Sequence, residues 1–420
     1  MEKPFQKIEK AYLVGIDLGD NDCQISMEEL KDLVKTAGGE VFDYAIQKRN
    51  SIDPKICIGY GKLMEIKQII EENEIDLVIF DVELTASQTN NISDLLNCPV
   101  IDRTILILDI FALRAKSSEG KLQVELAQLK HRYNNLKGLG KSLSRLGGGI
   151  GTRGPGETKL ETDRRHIRRR MDKLQQDLEE YGKHRTELRK NRSNKNYKTV
   201  SLVGYTNAGK STLLNSLTNS NAYVKDQLFA TLDTTSRLLK IDNKEIILTD
   251  TVGFIRKLPH FLINAFKSTL EEVVLSDLVL LVIDSSDKDF ENHERITREI
   301  LDELGYNNKI IKVYNKCDLI SKEDCSMLDG ITISALSEEN FFELKKAIYK
   351  ALFGEKVNLK LKIPYQDAKA ISSLRKKGVI VSEKFEDTYE ILEIYIDLAD
   401  SLQYNKYIIS EHLFAYKDEN

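Results

Sequence analysis

Residues 204–211 read Gly204-Tyr205-Thr206-Asn207-Ala208-Gly209-Lys210-Ser211, and well downstream the chain reads Asn315-Lys316-Cys317-Asp318. The first stretch is a G-x-x-x-x-G-K-S phosphate loop. Its glycines let backbone N–H groups close on phosphates, Lys210 reaches the outer ones, and Ser211 faces Mg²⁺. Thr199 to Val203 is a β-prone apolar run before the loop, and Lys210 to Leu217 has helical spacing after it. That order points a helix N-terminus at an anion. The second stretch chooses the base. A carboxylate at Asp318 can accept from both N1–H and the exocyclic amine of guanine, whereas adenine offers no such donor pair. Together the two motifs predict a guanine-nucleotide site in an α/β domain.

Working outward, the strand-like run Glu245 to Thr249 ends at Asp250-Thr251-Val252-Gly253. Asp250, Thr251, Val252 and Gly253 are expected at the nucleotide, Asp250 to hold a Mg²⁺ water and the Gly253 N–H to meet the γ-phosphate. Buried-strand runs at Leu278 to Ile283 and Lys309 to Tyr314 follow, the latter delivering the base-reading motif at its C-terminal end, where open α/β sheets bind ligands. Ser334-Ala335-Leu336, after Ile331 to Ile333, would add a backbone contact to guanine. The first switch is Leu228-Phe229-Ala230-Thr231-Leu232-Asp233-Thr234-Thr235, of which Phe229 to Asp233 are expected at the nucleotide. One threonine hydroxyl here should complete the Mg²⁺ shell beside Ser211. Thr231 is preferred, with Thr234 and Thr235 left open. Lys210, Thr231 and Gly253 are therefore the candidate catalytic residues. Phe254 stands where many GTPases carry the glutamine that orients the attacking water, so hydrolysis should be slow without a partner.

A chain of 420 residues is too long for one ordinary core. Four domains are expected: an α/β domain over 1–115, a basic helical hairpin over 116–198, the phosphate-loop domain over 199–354, and a small α+β domain over 355–420. With 41% hydrophobic and 30% charged residues, and no apolar run long enough to span a bilayer, integral membrane association is not expected. The short apolar stretch Ala11 to Ile16 runs into Asp17 and does not read as a signal peptide, so a cytoplasmic location is expected. A monomer is expected as well. Five cysteines without a Cys-x-x-Cys argue against a disulfide framework or a zinc site. In the first domain, Tyr12 to Ile16, Glu40 to Ile46 and Asp76 to Phe80 read as strands of a partly parallel sheet. A capping box at Ser26 and Glu29 is expected to open its first helix, and Gly59 to start another.

The net charge of −4 hides an asymmetry: Lys121 to Lys198 holds 21 Lys and Arg against 9 Asp and Glu, a balance of +12 that leaves −16 elsewhere. Leu122, Leu126, Leu129, Tyr133, Leu136, Leu143 and Leu146, and again Ile167, Met171, Leu174, Leu178 and Tyr181, follow three-and-four spacing. Two antiparallel helices are expected, joined by Gly147 to Gly156 with six glycines in ten residues. Bare backbone N–H groups and Arg153 at that tip suit phosphate contacts. The second helix is expected to start at a capping box, Thr158 and Glu161, and carries Arg164, Arg165, Arg168, Arg169 and Arg170. Arg153, Arg164, Arg165 and Arg168 are the candidate RNA-binding residues.

Gly147 to Arg165, together with Asp102-Arg103-Thr104, Ile110-Phe111-Ala112 and Asp250 through His260, resembles the HflX family of ribosome-associated GTPases over residues from about 10 to 420. The first switch departs from the family's Asp-Pro-Thr-Thr, since Asp233 is followed by Thr234. The resemblance implies binding to the large ribosomal subunit and to ribosomal RNA in the 70S ribosome, Mg²⁺-dependent GTP hydrolysis stimulated by the ribosome, and separation of stalled or idle ribosomes under stress. The alternative is a GTP-regulated assembly or hibernation factor that binds without splitting. A tRNA-modification GTPase fits the phosphate-loop domain but not the glycine-rich hairpin.

Overall fold

A computed structural model describes residues 8–19, 22–146, 155–194, 197–218, 229, 234–242, 244–257, 259, 262 and 267–413. The N-terminal unit alternates strand and helix: β1 (Lys10–Asp17), α1 (Cys23–Ala37), β2 (Glu40–Lys48), α2 (Tyr60–Asn73), β3 (Leu77–Phe80), α3 (Ala86–Leu96), β4 (Val100–Asp102) and α4 (Arg103–Arg114). The sheet order is β2-β1-β3-β4, and every pairing is parallel rather than only some. Period-two alternation makes it a three-layer sandwich. Ala11 and Leu13 face a core shared with α1 and α4, while Tyr12, Val14 and Ile16 face one shared with α2 and α3.

The first helix corrects one expectation. It begins at Cys23, a turn before Ser26, so Ser26 and Glu29 are not its cap. Their side chains go to tertiary partners: Ser26 Oγ donates to Asp81 at 2.6 Å, and Glu29 pairs with Arg103. Gly59 does precede α2, as expected.

Helices α5 (Ser118–Leu146) and α6 (Pro155–Asn194) form the hairpin. At 1.5 Å per residue α6 is about 60 Å long. It starts at Pro155, whose missing N–H suits a first helical position, three residues before the expected cap at Thr158. Arg170 bonds Glu125 through Nε at 2.7 Å and Nη2 at 2.8 Å, and Arg185 bonds Glu119 at 3.0 Å, tying the two helices together. The base of α5 does more than pair with α6. Val124 and Ala127 are buried in the core that α1 and α4 build. The glycine-rich tip, with Arg153, lies outside the described residues.

The phosphate-loop unit is a six-stranded sheet in the order β10-β9-β8-β5-β7-β6. Its strands are β5 (Lys198–Gly204), β6 (Thr235–Ile241), β7 (Lys244–Asp250), β8 (Leu278–Asp284), β9 (Lys309–Asn315) and β10 (Ile331–Thr332), with α7 (Lys210–Thr218) after the loop. All pairings are parallel except β6 with β7. The C-terminal unit is an antiparallel sheet of β11 (Lys356–Pro364), β12 (Val379–Phe385), β13 (Tyr389–Asp397) and β14 (Ile408–Leu413). One face of β11, Val357, Leu359, Leu361 and Ile363, is buried together with Leu374 of the helix Ala368–Lys377. Among the described residues no helix is long and apolar enough to cross a membrane.

Candidate nucleotide site

The phosphate loop leaves β5 at Gly204 and enters α7 at Lys210. Two positions need the left-handed region: Asn207 at φ 62° and Gly209 at φ 90°. Gly209 has a second reason, because an added Cβ would lie 2.2 Å from Asn315 Nδ2. The close approach lets Asn315 work in both directions. Its Nδ2 donates to Ala208 O at 2.9 Å, and its Oδ1 accepts from the Ala335 N–H at 2.9 Å. The phosphate loop, the Asn315-Lys316-Cys317-Asp318 loop and the Ser334-Ala335-Leu336 loop are thus one cross-linked assembly. Ser216 Oγ adds a bond to Ala335 O at 2.8 Å, and Lys316 at φ 65° pairs with Asp284 at 2.5 Å. Asp318 and Leu336 are exposed, while the Cys317 side chain is buried and lies 3.9 Å from Glu339. Asp284 was not legible beforehand, although its place at the end of β8 is where such a residue is to be sought.

Lys210 is buried, and its Nζ donates to Gly204 O at 3.1 Å and Tyr205 O at 2.7 Å. Burial lowers its pKa to about 8, with Asp250 opposing the shift. Ser211 Oγ donates to Asp250 Oδ2 at 2.6 Å. A hydroxyl and a carboxylate side by side form an all-oxygen donor set of the kind Mg²⁺ takes when phosphates supply further ligands. The buried Thr206 hydroxyl has no hydrogen-bond partner among the described residues, as a nucleotide-facing group would leave it. The residues present therefore fit a Mg²⁺–nucleotide pair. Of the first switch, Ala230, Thr231, Leu232 and Asp233 lie outside the described residues. Thr235 is described and sits opposite Asp250 in the β6–β7 register.

Four residues expected at the nucleotide send their side chains elsewhere. Thr251 is fully buried with its hydroxyl bonded to Leu202 O at 2.7 Å, so it braces β5. Val252 and Phe229 are buried in the core shared with α1 and α4, and the Phe229 ring meets Phe111 edge to face at 4.7 Å. Tyr205 offers the loop only its backbone. Its ring stacks on His293 at 3.8 Å, and its hydroxyl donates to Glu29 while accepting the Arg256 N–H at 2.6 Å. Burial and the nearby Glu29 push the Tyr205 pKa far up, so it stays a neutral donor. Phe254 is buried beside Val203, Leu270 and Val273, and its side chain cannot position a water.

Three family models match in chain order: one described as GTP-binding GTPase N-terminal over residues 24–112, one as GTP-binding GTPase middle region over 114–192, and one as 50S ribosome-binding GTPase over 199–316. A GTPase HflX of Caldanaerobacter subterraneus subsp. tengcongensis is 49% identical over 92% of this chain and 91% of its own. The chain belongs to the HflX family. The Escherichia coli GTPase HflX is 39% identical over 93% of this chain and 94% of its own. A solved structure of a GTP-binding protein from Sulfolobus solfataricus in complex with GDP is 30% identical, covering 82% of this chain and 99% of its own, with a TM-score of 0.42. As an HflX-family member with this phosphate loop, the chain is a GTP hydrolase.

Proposed function

We propose that this GTPase binds the large ribosomal subunit, uses the hairpin against ribosomal RNA, and separates the subunits of idle or stalled 70S ribosomes in the cytoplasm. The observation that carries this reading is the free cationic face of α6. Arg165, Arg168 and Arg169 are exposed, whereas Arg170 is paired with Glu125. Arg164 is half-buried, 3.4 Å from Glu161 and over the Tyr133 ring. Such a stripe meets phosphates, and affinity should fall steeply with salt. Family membership and the ribosome-binding description of the matching model support the same partner.

In the reaction, water attacks the γ-phosphate in line. Lys210 and the Gly253 N–H stabilise the charge that develops; Ser211 and Thr231 would hold Mg²⁺, and Asp250 would hold a water of its shell. Mg²⁺ held there would supply positive charge that offsets the phosphate oxygens. Since the Phe254 side chain is locked in the core, the ribosome supplies or orders the water-positioning element, with an acceleration on the order of 10³ to 10⁵.

Sucrose-gradient sedimentation of 70S ribosomes with GTP, a non-hydrolysable analogue or GDP tests the proposal. Subunit separation with both triphosphates but not GDP is expected. Co-migration with intact particles and no separation would replace splitting by a parked assembly or hibernation role.

A further inference from the structure

The C-terminal ends of parallel strands, where strand order reverses, form the ligand crevice of an open α/β sheet. In the N-terminal sheet that point lies between β1 and β3, and its mouth is lined by Asp81, Arg103, Ser26 and Glu29. The groups that enter it belong to the phosphate-loop unit. Lys257 Nζ reaches Asp81 at 2.6 Å, and the Tyr205 hydroxyl reaches Glu29. Beside them, Arg256 pairs with Asp22 at 3.2 Å and with Asp289, and Phe229 seats against Phe111. Tyr205 is in the phosphate loop, Phe229 in the first switch, and Arg256 and Lys257 just past Gly253. A residue from each of the three elements expected at the γ-phosphate is held by one neighbouring domain.

They are held in a particular arrangement. Phe254 lies alongside the phosphate loop as a parallel bridge: its N–H donates to Gly204 O at 3.1 Å, and its carbonyl accepts from the Thr206 N–H at 2.8 Å. This draws Gly253 onto the loop, where an added Cβ would lie 2.9 Å from both Lys210 Nζ and the Thr206 Cα. A γ-phosphoryl group contacted by both Lys210 and the Gly253 N–H needs those two groups apart. Ile255, Arg256 and Lys257 follow directly and are pinned, Ile255 in the shared core and the two cations on carboxylates. Gly253 cannot withdraw from Lys210 without pulling on those contacts.

We propose that the N-terminal domain takes the switch face of the GTPase domain as its ligand, with Glu29 acting through Tyr205 as a positioning residue that favours GDP over GTP. By linkage, GTP weakens the docking by the same factor by which docking weakens GTP. GTP binding then releases α1 and α4 from the switches, and hydrolysis lets them re-dock. The coupling needs only the GTPase site, and its assays contain no ribosomes, so its failure is separate from any failure of the ribosome-splitting reading.

The experiment compares affinities of the full chain for fluorescent GDP and a fluorescent non-hydrolysable GTP analogue. In Tyr205→Phe the ring stack is kept and the bonds to Glu29 and the Arg256 N–H are lost. The GTP-to-GDP affinity ratio should rise about tenfold, a coupling of ordinary size. Lys257→Met, which lies outside the phosphate loop, should move the ratio in the same direction. An unchanged ratio, or equal weakening of both nucleotides, would reduce Tyr205 to a structural part of the loop and overturn the proposal. In the unaltered chain, hydrogen exchange of Cys23–Ala37 and Arg103–Arg114 should be faster with the GTP analogue than with GDP. Equal exchange in the two states would overturn it as well.

Discussion

The two ends of the nucleotide site are built differently. At the base end, Asn315, Ala208, Ala335 and Ser216 are cross-linked within one domain, and Asp318 stands exposed beside them. At the γ-phosphate end, Tyr205, Phe229, Ile255, Arg256 and Lys257 find partners in another domain. A site that must recognise guanine in every state gains from fixed internal bracing. One that must distinguish GTP from GDP gains from contacts that can be exchanged, because only a difference in contacts between states can shift an equilibrium.

Asp318→Asn gives the sharpest test of that division. It places an N–H donor against the donors of guanine, and both charge-assisted bonds are lost. Affinity for GTP and GDP should fall together by on the order of 10² to 10³. Equilibrium binding of both nucleotides checks this. A change in their ratio would mean that the base end also carries state information.

Gly209→Ala attacks the bracing itself. The left-handed backbone and the 2.2 Å approach to Asn315 both oppose a Cβ, at a combined cost of roughly 2 to 4 kcal/mol. A lower urea midpoint with parallel loss of both nucleotides is expected. Retention of full stability would show that the Asn315 tie can relax freely.

Phe229→Ala tests the other end. Removing a buried aromatic costs about 3 kcal/mol where the site cannot collapse. The thermal midpoint should drop, and the GTP-to-GDP ratio should move towards GTP because one clamp on the switches is gone. A lower midpoint with an unaltered ratio would leave Phe229 as packing alone.

The same division explains what was legible in the chain. Gly204 to Ser211 and Asn315 to Asp318 declare themselves because their chemistry is carried by backbone shape and adjacent side chains, which local sequence specifies. The basic hairpin was legible through its period and charge, but its burial on the N-terminal core was not, since Val124 and Ala127 look like any apolar helix positions. Ser26 and Glu29 show why local pattern can mislead. Their spacing matches a capping box, yet a helix beginning at Cys23 freed both side chains for Asp81, Arg103 and Tyr205. Position in a motif alone puts Thr251, Val252 and Phe229 at the nucleotide. Which way each side chain points depends on a neighbour that sequence spacing does not reveal.

The smallest expected effect concerns Lys210, which belongs to both ends because every state uses it. Burial lowers its pKa from 10.5 to about 8, so between those values the folded chain binds fewer protons than the unfolded one, and stability rises with pH. Phosphates beside the ammonium restore the charged form. Nucleotide binding should therefore take up a fraction of a proton above about pH 8 and lose affinity as pH climbs further. Calorimetry at about pH 8.5 in buffers of different ionisation enthalpy measures that uptake. It should be equal for GDP and GTP if Lys210 is a fixed part of the loop. Greater uptake with GTP would mean that Gly253, drawn onto Lys210 in the docked arrangement, helps to exclude water from it, and that opening the γ-phosphate end also resets the charge of the loop.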